Sequence, residues 1–205
     1  DQTTERIATV NKLLNTPNGI ELMAPIYRGF AFDGAVMGLF NPNTKENGSI
    51  FCQTQGWAIL AEALLGHGDR AFEYFKESCP AAYNDRAEVR ESEPYVHTQF
   101  IEGHGTPQPG RAHVHWLTGT ASTVMVGMVE GILGLRPTPE GLRIMPSIPA
   151  GWDGFTMDKT FRGKKLHIVV KNPDHRESGI KSVAVNSIPT DAEVLTDEML
   201  RDGDT

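Results

Sequence analysis

The chain has 205 residues, 39% of them apolar and 22% charged, with a formal net charge of −7. That length makes one ordinary domain or two small ones, and the composition suits a buried core, which argues against a disordered chain. The negative balance argues against nucleic acid or an anionic membrane as the main partner, and every apolar run is interrupted by glycine or charge before it could cross a bilayer.

In chain order, Ile7, Val10, Leu13 and Leu14 share one face, so a helix is expected over 3–16. Residues 17–50 are loop-rich, punctuated by Pro17, Gly19, Pro25, Gly29, Gly34, Pro42 and Gly48. Trp57, Ile59, Leu60, Ala63 and Leu64 predict a helix over 54–65, broken by Gly66-His67-Gly68. A second helix follows over 69–79, with Asp69 as its cap and Phe72, Tyr74 and Phe75 as packing residues. Residues 80–112 read as a long polar loop, a feature that is usually functional in a compact domain. A third helix is expected over 118–133. From about residue 134, Pro137, Pro139, Pro146 and Pro149 separate short segments, and 155–157, 166–170 and 182–185 have strand composition. Helices first and strands afterwards predict two segregated domains, 1–134 and 135–205. Cys52 and Cys79 suit free thiols in a reducing compartment, and no basic, apolar leader is visible, so a cytoplasmic location is expected. The chain opens at Asp1 inside an amphipathic pattern. It closes on Arg201-Asp202-Gly203-Asp204-Thr205, a turn-like sequence that ought to lead into another strand, so a fragment cut at both ends is expected.

The run Trp116-Leu117-Thr118-Gly119-Thr120-Ala121-Ser122 puts hydroxyls and a glycine at an expected helix start. Free N–H groups and the positive end of the helix dipole there suit an anion, with phosphate the obvious candidate; an ordinary N-cap satisfies the same pattern. His113-Val114-His115 resembles a metal pair but lacks a third ligand at a zinc spacing, so no metal is expected. Glu46, Glu91, Glu93 and Glu102 fall in the two loop regions, where solvation is the default, and the same holds for Lys45. Four segments share one character: Lys45-Glu46-Asn47-Gly48, Phe51-Cys52-Gln53-Thr54-Gln55-Gly56-Trp57, Glu93-Pro94-Tyr95-Val96-His97-Thr98-Gln99, and the run 116–122. Each sets polar groups beside glycine, proline or an aromatic ring. Amides, hydroxyls and aromatic faces suit a sugar; ordinary loop anchoring is the alternative.

In this order the four segments resemble the C-terminal part of glycoside hydrolase family 94, which contains inverting phosphorylases of β-linked disaccharides. The likeness runs over about residues 18–170 and extends to Gly131-Ile132-Leu133-Gly134-Leu135-Arg136-Pro137 and Pro146-Ser147-Ile148-Pro149. It implies the last helices of an (α/α)6 barrel followed by a partial β-sandwich domain. It implies that Thr118 and Gly119 bind phosphate, that Gln99 binds sugar and that Lys45 lies near the acceptor sugar. Gln53 stands where many members carry a phosphate-binding His; an amide donates a hydrogen bond without a positive charge. The family's catalytic Asp, in an Asp-Trp-Asn-Asp-like motif, matches nothing here, so no catalytic residue is assigned and the chain alone is expected to be inactive. The implied substrates are a β-linked disaccharide and inorganic phosphate, with no cofactor or metal, in a homodimeric whole. A glycan-binding or structural module without catalysis, and a β-glucan-acting domain of a polyprotein, are the alternative readings.

Overall fold

The computed structural model describes residues 2–29 and 36–200. Gly34 and the closing turn at 201–205 lie outside the described residues. The first helix, α1 (Gln2–Leu13), is followed by a hairpin of β1 (Asn15–Thr16) and β2 (Gly19–Ile20). After a long connection, β3 (Ile50–Phe51) runs straight into α2 (Cys52–Leu64), and α3 (Gly68–Ser78) packs against it. A 3-10 stretch (Pro80–Arg86), the short α4 (Ala87–Arg90), β4 (Thr98–Ile101) and β5 (Ala112–His115) lead to α5 (Thr120–Val126), which continues as π-helical turns over Gly127–Ile132. Strands β3, β4 and β5 form one antiparallel sheet in that order, with Ile50 opposite Ile101 and Thr98 opposite His115.

Three expectations change here, each for a local reason. The 80–112 segment is not one loop, because polar residues at Thr98, Gln99, His113 and His115 mask the alternation of β4 and β5. The third helix starts at Thr120 and not at Thr118. Trp116 is left-handed at φ 67°, and the Thr118 hydroxyl accepts the Thr120 N–H at 3.2 Å, a side-chain turn that competes with the helix. Asp69 is not the cap of α3, which begins at Gly68. Its carboxylate instead accepts the Ala150 N–H at 3.0 Å, and its own N–H goes to Glu177 at 2.9 Å.

The tail is built of β6 (Leu135–Pro137), β7 (Gly141–Ile144), β8 (Gly154–Phe161), β9 (Lys164–Lys171), β10 (Val183–Val185), β11 (Ile188–Thr190) and β12 (Val194–Thr196). They pair as an antiparallel β12-β7-β6 sheet and two hairpins, β8-β9 and β10-β11. Among the described residues, all the α-helices therefore precede a tail built of strands alone. The two larger apolar cores follow this order, and a small third cluster joins Ile50, Cys52 and Ile101. Ile59, Ala63, Ala71, Tyr74, Val124 and Ile132 fill the helical one, and Leu135, Leu142, Phe161, Ile168 and Leu195 fill the other. Ile148 from the tail enters the helical core, and Trp152 meets Phe72 edge-on at 5.0 Å. Close approach at that seam requires Gly68, since a Cβ there would stand 2.0 Å from the Ile148 carbonyl oxygen. Among the described residues, no helix is long and apolar enough to cross a membrane.

Candidate functional site

The start of α2 and the start of α5 are held together tightly. A Cβ at Gly56 would lie 2.4 Å from the Thr123 backbone, so only glycine lets the two helices meet at this distance. The Thr123 hydroxyl sits within hydrogen-bond distance of two carbonyl oxygens, that of Gln53 at 2.9 Å and that of Thr120 at 3.0 Å. This clasp lays the Gln53 carboxamide against Gly119: a Cβ on Gly119 would stand 3.4 Å from Gln53 Nε2. Gly119 is exposed and Gln53 half-buried, so both backbone and amide groups face an open surface.

Thr118, next to Gly119, is fixed by hydroxyl contacts. Its Oγ1 lies 2.6 Å from Thr120 Oγ1, and the Thr120 hydroxyl donates to the Thr98 carbonyl at 3.1 Å. Thr98 belongs to β4, so the same strand that anchors Thr118 also carries Gln99. There Lys45 Nζ donates to Gln99 Oε1 at 2.6 Å and lies 5.1 Å from the centre of the Phe100 ring. Lys45 reaches this place from a turn in which it takes φ 47°. With Oε1 occupied, the pair still offers the Gln99 amide hydrogens and further ammonium hydrogens, a donor-rich surface for hydroxyl oxygens. The structure thus brings Gln53 against Gly119, Thr118 onto Thr120, whose hydroxyl reaches the Thr98 carbonyl, and Lys45 onto Gln99.

The rim is aromatic. Tyr95 and Trp116 are 73% and 68% exposed and meet edge to face at 6.2 Å. Exposed rings of this kind stack on the apolar faces of sugars. His113 stacks on Phe100 at 4.9 Å and bonds Glu102 at 2.7 Å, an arrangement that orients the imidazole within the sheet. Burial first, and then the Arg90 charge, hold His97 below its ordinary value, so it is neutral at pH 7. Burial likewise pushes the Cys52 thiol up, against the opposing effects of Arg90 and a Thr98 hydrogen bond, so Cys52 is a packed thiol and not a nucleophile.

Glu46, expected above to be solvated, has a buried Oε2 without a hydrogen-bond partner among the described residues, beside Lys45 in the chain. Thr120 is completely buried, and its partner Thr98 is too distant in sequence for any spacing rule to connect them.

Amides, hydroxyls, one cation and exposed rings gather at this surface, and there is no cluster of three or more metal-ligating side chains among the described residues. Residues 1–134 match the Glycosyl hydrolase 94 superfamily, catalytic domain. The chain is 39% identical over 183 residues to the N,N'-diacetylchitobiose phosphorylase of Vibrio furnissii, covering 89% of this chain and 23% of that protein. It is 38% identical over 180 residues to the enzyme of the same name from Vibrio proteolyticus, covering 88% and 22%. The solabiose phosphorylase of Paenibacillus borealis is 27% identical over 181 residues, covering 88% and 23%. The chain belongs to the glycosyl hydrolase 94 family, and it spans less than a quarter of the length of these relatives.

Proposed function

We propose that the polypeptide carrying this chain is an inverting phosphorylase of a β-linked disaccharide, and that these residues supply the phosphate side and part of the sugar side of its centre. Inversion by phosphate is a single displacement. A phosphate oxygen attacks the anomeric carbon, a carboxylic acid protonates the departing glycosidic oxygen, and the products are an α-sugar 1-phosphate and the acceptor sugar. Such an enzyme needs no carboxylate to activate water, but it needs donors that hold phosphate in line. The observation that carries the proposal is the Gln53 carboxamide lying against Gly119, the residue next in the chain to Thr118. Lys45 and Gln99 stand on the sugar side. The acid is assigned to no residue of this chain. In this reading residues 1–134 complete an (α/α) barrel, 135–205 belong to a β-sandwich, and the whole is a cytoplasmic homodimer using no cofactor beyond phosphate.

The test incubates the complete polypeptide with inorganic phosphate and a panel of β-linked disaccharides and follows the products by phosphorus and proton NMR. An α-configured sugar 1-phosphate is expected. Release of free sugars without phosphate incorporation, or glycan binding without turnover, contradicts the proposal; the latter favours a non-catalytic module.

A further inference from the structure

The hydroxyls of Thr118 and Thr120 hold two protons between them, and the surroundings limit where those protons go. Thr98 O can only accept, so the 3.1 Å contact from Thr120 takes the Thr120 proton. The 2.6 Å contact between the two hydroxyl oxygens then requires the Thr118 proton. In that arrangement Thr118 turns its proton inward. The reversed arrangement moves the Thr120 proton into the 2.6 Å contact and frees the Thr118 proton to point outward. Thr118 Oγ1 then accepts from both the hydroxyl and the N–H of Thr120, the latter at 3.2 Å, and is polarised as a donor. Thr120 has no exposed surface, so water cannot substitute for either bond.

We infer that Thr120 is a positioning residue for phosphate: its buried hydroxyl sets the place and the donor direction of the Thr118 hydroxyl, which touches the anion. The inference rests on the phosphate-site reading above. Phosphate oxygens accept hydrogen bonds, so anion binding selects the outward arrangement, at the cost of the bond to the Thr98 carbonyl. No bond to carbon or phosphorus changes in this step; two hydroxyl protons rotate together. The oxygen–oxygen distance gives the inference its sign. A separation of 2.6 Å exists only across a shared proton. A methyl in place of the Thr120 hydroxyl needs the wider spacing of a van der Waals contact and displaces Thr118 Oγ1 from its position.

The experiment measures phosphorolysis by the complete polypeptide as a function of phosphate and, separately, of disaccharide, for Thr118→Ala, Thr120→Val and Thr120→Ser. Thr120→Val is expected to raise the phosphate KM about fivefold or more with the disaccharide KM unchanged, the loss typical of one hydrogen bond in a charged site. Thr120→Ser keeps the hydroxyl and is expected to restore the phosphate KM. If Thr120→Val does not fold, Thr120→Cys, whose thiol is a poorer donor, carries the same expectation. A raised phosphate KM in Thr118→Ala with a wild-type value in Thr120→Val (or in Thr120→Cys) overturns the positioning role and leaves the phosphate reading standing. Wild-type values in both Thr118→Ala and Thr120→Val remove the phosphate reading and this inference with it. Equal rises in both KM values for Thr120→Val, unrelieved by Thr120→Ser, mean a structural role only and also overturn it.

Discussion

The helical half and the β-rich tail are held in different ways. In the first, Asn43, Asn47, Gln55, Glu62, Thr98 and Thr120 are buried with polar partners; in the described part of the tail, the buried polar side chains are Ser147 and Asn172. Gln55 shows how the first kind works. Its amide bonds the Ile20 N–H and carbonyl at 2.9 Å each and the Phe51 carbonyl at 3.2 Å, tying the β1-β2 hairpin to the start of α2. Asn47 does the same for the Tyr27 and Phe40 backbones. The tail relies on strand pairing around Leu135, Leu142, Phe161 and Ile168. Loops near the candidate site thus have their shape specified by directional bonds, whereas the tail contributes mainly apolar stability.

The substitution with the largest expected effect lies in the tail. Leu142→Ala removes a fully buried side chain from the tail core and is expected to cost about 2–5 kcal/mol in denaturant unfolding. Phosphate KM should not move; if it does, the two regions are energetically one. Gly56→Ala is next. Its Cβ meets the Thr123 backbone, so α2 and α5 must separate, at about 1–3 kcal/mol by thermal unfolding. Here the phosphate KM should rise as well, because Gln53 and Gly119 part company. A variant that loses stability with the same phosphate KM shows that the clasp does not shape the site.

The smallest effect is a pH slope. Burial, and then the neighbouring Glu73, push Glu77 up to about 7. A carboxyl raised in the folded state binds more protons there than in the unfolded chain, whose value is about 4.3. Its contribution is therefore complete below the unfolded value and is lost as pH rises through about 7. Glu77→Gln should flatten the fall in stability between pH 5 and pH 8, measured by denaturant midpoints. An identical slope in variant and wild type contradicts this account of Glu77.

Long, strongly periodic elements were legible in the amino-acid sequence. The α2 helix follows its apolar spacing, and β8 and β9 surround the expected strand cores. Strands β6, β7 and β12 were not legible, being three or four residues long, and β12 pairs with a partner far back in the chain. Asp69 looked like a cap because an acid before an apolar-periodic run usually is one; here the tail backbone at Ala150 took its carboxylate instead. The motifs at the candidate site carried their residues to within contact of one another, Lys45 with Gln99 and Gln53 with Gly119. The link through Thr120 and Thr98 was hidden, because a threonine at a helix start reads as a cap and its acceptor is a backbone carbonyl on a strand masked by polar residues.

The central claim is that the Thr118 hydroxyl holds phosphate. It is tested most directly by the phosphate dependence of phosphorolysis in Thr118→Ala of the complete polypeptide. Loss of a hydrogen bond to a charged group predicts a phosphate KM raised on the order of tenfold or more, with the disaccharide KM unchanged. An unchanged phosphate KM in a folded, active variant would contradict the account.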